Sequence, residues 1–196
     1  MQRRLFVAVP VKGGVAQRIS AAIAALDHLA PRARPVAGDQ LHLTLRFLGA
    51  TDEALLAPLE AALREALAGA PAFELAVAGA RVFGSPRRAR VLYADLAGDL
   101  APLAELALRV DRAAEGLGLP PRDRPFAPHL TLARARDRGG DPALGSAALA
   151  LADESFGPLP VFEVVLYESE LSSRGARHLV RAQIPLLPLQ GSPLPP

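Results

Sequence analysis

"LHLTLRFLG" spans Leu41–Gly49, and "PHLTLARAR" spans Pro128–Arg136. Side chains alternate across a strand, so Leu41, Leu43, Leu45 and Phe47 share one face while His42 and Thr44 share the other. The second copy sets Leu130 and Leu132 against His129 and Thr131 in the same way. The chain has 4 histidines, and its threonines are Thr44, Thr51 and Thr131. Random scattering of so few residues gives roughly 0.06 His-x-Thr pairs, a measure of how often a short motif arises by chance. Two occur, both inside the tetrapeptide HLTL. A single copy reads as easily as a structural histidine bonded to backbone; two copies at one spacing point to a shared task.

Around these strands the pattern is mixed. "RLFVAVPV" (4–11) is rich in β-branched and aromatic residues and predicts a first strand. Val15, Ile19, Ile23 and Leu26 fall at helical spacing, predicting a helix to about Leu29 that Pro31 and Pro35 end. Thr51 is the expected N-cap of a second helix over 52–69. Two strands, "AFELAVAGARVFG" and "RARVLYADLAG", flank the turn "SPRR", and a third amphipathic helix covers 100–118. Residues 137–158 read as a loop with a short alanine-rich helix inside. "VFEVVLYESEL" and "ARHLVRAQIPL" form a closing strand pair around "SSRG". The expected organisation is one domain over residues 1–185, followed by a Pro-rich, disordered tail over 186–196. The fold class is mixed α/β (α+β): two lobes with mainly antiparallel sheets, one HLTL strand in each, facing a central cleft.

Composition narrows the function. Hydrophobic residues make up 51% of 196, enough for a real core. A net charge of +2 is too small for non-specific coating of nucleic acid. Basic clusters do stand at 87–90, 121–125 and 134–138, and for each a solvated face is the plain alternative. With no cysteine, disulfides and thiolate metal sites are excluded. The apolar run Leu5–Val9 near the N-terminus is too short for a signal segment or membrane span, so a cytoplasmic protein without a membrane is expected.

If the two His/Thr faces meet, the cleft holds two imidazoles and two hydroxyls. Imidazole is suited to proton transfer near neutral pH, and hydroxyls can donate to oxygens on which charge builds. Arg46 and Arg134 are the candidate anion ligands. Strict alternation puts Arg46 on the histidine face and Arg134 off it, unless its strand bends or ends there. His28 is expected near a helix end, and His178 in a structural role. A zinc site lacks a third ligand, HExxH is absent, and so is a GxSxG nucleophile elbow.

With these residues the sequence resembles the 2H phosphoesterases, defined by two H-x-[ST]-x motifs, and within them the LigT-like RNA 2′,3′-cyclic phosphodiesterases, once called 2′-5′ RNA ligases. The segments carrying the resemblance are "RLFVAVPV", "LHLTLRFLG", "RPFAPHLTLAR" and "FEVVLYESELSSRGARH". The resemblance implies metal-independent opening of an RNA 2′,3′-cyclic phosphate to a 2′-phosphate, with no cofactor. It implies His42 as proton donor, His129 as proton acceptor, and Thr44, Thr131 and Arg134 as phosphate ligands. Phe47 either borders the base or packs in the core, and the core is favoured. Expected partners are RNA ends or small cyclic-phosphate nucleotides, with no obligate protein partner. Two rivals remain: another cyclic phosphate such as ADP-ribose 1″,2″-cyclic phosphate, or a non-catalytic RNA-binding module. Weak RNA ligation, the reverse chemistry, is possible at the same site.

Overall fold

The computed structural model describes residues 1–25, 30, 32–172 and 175–188. His28 lies outside them, as do the helix end expected near Leu29 and residues 189–196. The strands are β1 (Gln2–Pro10), β2 (Ala33–Pro35), β3 (His42–Asp52), β4 (Phe73–Phe83), β5 (Val91–Ala97), β6 (Leu130–Ala135), β7 (Ser155–Val161), β8 (Glu163–Ser172) and β9 (Gly175–Pro185). The helices are α1 (Gly13–Ala25), α2 (Leu56–Leu67), α3 (Ala101–Gly116) and α4 (Pro142–Ala150). The strands run in the order β7-β4-β5-β6-β3-β1-β8-β9, with β2 paired to β6, and every pairing among them is antiparallel.

Two four-stranded halves meet at a single residue pair, Leu43 with Leu130, between β3 and β6. These halves are the two lobes, and the chain interleaves them. The first, β3-β1-β8-β9, combines the N-terminal strands with the last hairpin, while the second, β6-β5-β4-β7, comes from the middle. Helices α2 and α3 pack on each other, on β9 and on β3; α1 and α4 pack on β7, β4 and β5. Their apolar stripes explain this: α2 buries Leu59, Leu63 and Leu67, four residues apart, and α3 buries Leu103, Leu106, Ala107, Val110 and Ala114. Each such leucine contributes about 1.5–3 kcal/mol by leaving water.

β1 shows how a central strand serves core and cleft together. Leu5, Val7 and Val9 join the apolar core, whereas Phe6 and Ala8 lie on the other face and are buried without joining it. Phe6 is covered by aromatic rings, at 5.1 Å from Tyr167 and 4.8 Å from His178.

Several local expectations need correction. Thr51 is not a helix cap: it is buried in β3, and Asp52 caps the short 3-10 turn before α2 by accepting from the Ala54 N–H. The Pro31–Pro35 region contains the short strand β2 rather than only a break. Within 137–158 the alanine-rich helix is α4, capped by Asp141, and strand β7 begins at Ser155 where a loop was expected. Its Gly157, Pro158 and Pro160 hide the strand in the sequence, yet β7 is the outermost strand of its half, the place where prolines are tolerated. Of the tail expected from residue 186, Leu186 is buried and Leu187 exchanges backbone hydrogen bonds with Ala70 and Ala72, while residues 189–196 lie outside the described ones.

Candidate active site

The pairing of Leu43 with Leu130 sets the register of the two motifs. In an antiparallel pair, residues one step either side of a partnered pair stand opposite each other with their side chains on one face. His42 is therefore brought to Thr131, and Thr44 to His129. The cavities agree: His42 and Thr131 line one of about 760 Å³, Thr44 and His129 an adjacent one of about 790 Å³, and Phe47 borders both.

Both histidines are held in the same way. His42 Nδ1 lies 2.7 Å from the Gln40 carbonyl oxygen, and His129 Nδ1 lies 2.8 Å from that of Ala127. A carbonyl only accepts, so each Nδ1 carries the hydrogen and each Nε2 is left with its lone pair in the neutral ring. Each ring also rests on aromatics. His42 lies 5.0 Å from Phe6, and His129 lies 4.8 Å from Phe83 and 5.6 Å from Tyr93.

The residues after each threonine depart from simple alternation, and a bulge is the reason. Val7 pairs with Arg46 but Ala8 with Thr44, so Leu45 is an extra residue in β3. Leu92 pairs with Ala133 but Tyr93 with Thr131, so Leu132 is extra in β6. Beyond a bulge the faces exchange. Arg46 therefore turns into the protein, only 4% exposed, and Phe47 turns out, 68% exposed. The structure departs from both expectations: Arg46 borders the Thr44–His129 cavity, but its guanidinium donates to groups of the protein itself, and Phe47 is not core. The matching bulge in β6 sends Ala133 inward and Arg134 into the cleft. The alternation that had argued against Arg134 is thereby removed.

Arg46 instead organises the approach to the second motif. Its guanidinium donates to the Asp111 carboxylate (2.8 Å) and carbonyl (3.0 Å), to Glu115 (3.2 Å) and to the Pro120 carbonyl (2.6 Å). Arg122 donates through two nitrogens to Asp111 at 2.6 and 2.7 Å and to the bulged Leu45 carbonyl at 3.1 Å. It also sits over Phe126 at 5.4 Å. Bulge, α3 and the proline-rich segment leading to His129 are thus tied to one carboxylate.

His178 joins the site although no motif marks it: a lone histidine in β9 has no repeat to betray it. Its ring is edge-on to His42 at 5.0 Å, and it lines the same cavity. Burial pushes His42 down to about 4; the Gln40 carbonyl opposes this, and His178, Arg134 and His129 add to it. Burial also lowers His178, against a raising influence from Asp39. Desolvation lowers Arg134, but guanidinium remains charged at any physiological pH. Tyr167 is pushed up to about 12, first by burial and then by Glu163.

Among the described residues no carboxylate lines the His42 cavity, whose charged members are Arg4, Arg34, Arg134 and Arg136. Among the described residues no group of three or more His, Cys, Asp or Glu is placed to hold a metal ion, and no helix is long and apolar enough to cross a membrane. Two oriented imidazoles, two hydroxyls and an arginine, spread over these adjacent cavities, are an arrangement suited to general acid–base chemistry on an anion.

Comparison with known proteins agrees with that class. The model of the family described as LigT like Phosphoesterase matches residues 9–93 and 97–177. The chain belongs to this family of phosphoesterases. An RNA 2′,3′-cyclic phosphodiesterase of Methanothermobacter thermautotrophicus is 30% identical over 175 residues, 89% of this chain and 94% of the relative. A crystal structure of a Thermus thermophilus protein superposes with a TM-score of 0.75 at 28% identity, covering 93% of this chain and 97% of that one. Escherichia coli LigT complexed with 3′-AMP gives 0.74 at 26% identity, covering 95% and 99%.

Proposed function

We propose that the protein hydrolyses the 2′,3′-cyclic phosphate at an RNA end to a 2′-phosphomonoester, without a metal ion. The observation that carries this reading is the reciprocal pairing of the motifs, each imidazole opposite the other strand's threonine, with both Nδ1 atoms tied to carbonyls. The relatives' printed activity, RNA 2′,3′-cyclic phosphodiesterase, supports the choice of substrate.

In this mechanism His129 Nε2 takes a proton from water as its oxygen attacks phosphorus. The P–O3′ bond breaks, and His42 Nε2 gives its proton to the departing 3′-oxygen. Thr44, Thr131 and Arg134 donate to the non-bridging oxygens, whose charge grows in the transition state. A 5′-hydroxyl replacing water would give weak 2′-5′ ligation by the same steps.

The low pKa of His42 constrains the assignment. A neutral His42 cannot act as acid, so the bound phosphate anion must raise its pKa before the 3′-oxygen leaves. The same observation favours a second reading with the roles reversed, His42 as base and His129 as acid. A substrate whose 3′-bridging oxygen is replaced by sulfur separates them, because a thiolate leaves without a proton. Sulfur should restore much of the activity lost in His42→Ala and little of that lost in His129→Ala; the opposite pattern establishes the reversed roles. The function itself is tested by incubating an RNA ending in a 2′,3′-cyclic phosphate and identifying the product end. A 3′-phosphate product, or a cyclic end left intact by wild type, refutes it.

A further inference from the structure

We propose that Arg34, Arg136 and Arg4 continue the cleft as a track for the phosphodiesters upstream of the reacting end, so that the site selects an RNA end over a cyclic mononucleotide. The inference rests on the function proposed above and specifies its substrate.

Three observations carry it. Arg34 on β2 stands directly opposite Arg134 on β6 in the strand register. Like charges so placed destabilise a strand pair unless an anion lies between or beside them. Second, none of Arg4, Arg34, Arg134 and Arg136 forms an ion pair among the described residues, so no carboxylate there neutralises them. All four line one cavity that lacks any carboxylate among the described residues. Third, the charges lie on both walls. Arg136 directly follows the last residue of β6, two beyond Arg134, and Arg4 is two residues before Phe6 on β1, on the face that carries this aromatic neighbour of His42.

A cyclic phosphate carries one negative charge, which Arg134 alone matches. Three further guanidinium groups then remain around the same cavity, and a solvated face would not collect them there with two in direct opposition. Phosphodiesters of a single strand supply one anion per nucleotide, and guanidinium binds such oxygens through paired N–H donors. The basic cluster at 134–138 thereby gains a role beyond Arg134: Arg136 grips the body of the RNA.

The test compares kcat/KM for cytidine 2′,3′-cyclic phosphate with that for an RNA trimer ending in the same group. Wild type, the double variant Arg34→Gln/Arg136→Gln and Arg64→Ala, a surface control on α2, are measured across a salt series. Thermal melting checks the fold of each. The trimer should be favoured by at least about tenfold in wild type and in Arg64→Ala, and this ratio should fall at least about fivefold in the double variant, the loss expected for charge-assisted contacts. The salt dependence of trimer binding should become shallower by roughly 0.7 in log–log slope for each arginine removed. A wild-type ratio near one, or a ratio unchanged in the double variant, overturns the track and leaves the proposed function standing. Failure to hydrolyse either substrate overturns both.

Discussion

Phe47 and Arg134 hold the same place in the two motif strands, three residues after the threonine, and a bulge at Leu45 or Leu132 turns each to the cleft. One lobe thus offers an exposed aromatic ring where the other offers a cation. Their substitutions should separate kinetically. Arg134→Ala is expected to lower kcat by about 10²–10³, since a donor to the transition-state oxygens is lost. Arg134→Lys should recover only part, for lack of the planar fork. Phe47→Ala should act on binding instead, costing about 1–3 kcal/mol if a base stacks there. Steady-state kinetics on a cyclic-ended RNA decides; equal losses of kcat from both would refute this division.

Asp111 should be more important for stability than any cleft residue. Its carboxylate is held by Arg46 and Arg122, and the Arg46 side chain is 3% exposed. Asp111→Ala leaves the buried Arg46 guanidinium with only the partly exposed Glu115 as a charged partner and removes the carboxylate of Arg122, for which about 3 kcal/mol is expected. Chemical denaturation measures this directly. Replacing Arg46 and Asp111 together by apolar residues should cost less than Asp111→Ala alone, and the reverse ranking would show that the network has another purpose.

Most of the architecture was legible from periodicity because strands and helices with one buried face announce themselves. The motif histidines and threonines were legible because they recur. What escaped has specific physical causes. Neither bulge leaves a local signature, so counting alternate residues puts Arg46 and Phe47 on the wrong sides of β3. β7 was masked by prolines that only an edge position permits. His178 and Arg34 reach the cleft through long-range pairing, of β9 with β8 and of β2 with β6, which a linear reading cannot supply.

Activity should survive EDTA. Among the described residues no group of three or more His, Cys, Asp or Glu is placed to hold a metal ion, and no carboxylate lines the His42 cavity to complete a ligand set. Extended dialysis against EDTA should leave the rate of cyclic phosphate opening unchanged. A large loss reversed by zinc or magnesium would refute the metal-free mechanism.

The pKa of His42 gives the most discriminating prediction, because stability and catalysis ask opposite things of it. Its folded value, about 4, lies below the unfolded 6.5. The unfolded chain therefore binds more protons between these values, and stability rises with pH across that window. The contribution is complete above about 6.5 and is lost as pH falls toward 4, with an upper bound of about 3 kcal/mol from the size of the shift. Catalysis as proposed needs the same ring protonated once the phosphate is bound. In the free protein the His42 ring protons, followed by NMR, should titrate near 4; with a 2′-phosphomonoester product bound, the midpoint should move up by at least about one unit as the anion favours imidazolium. His178→Ala should also raise the free value, by removing one lowering charge and admitting water. A His42 midpoint that stays near 4 with product bound would transfer the acid's role to His129, because a ring that remains neutral beside the phosphate has no proton to give the 3′-oxygen.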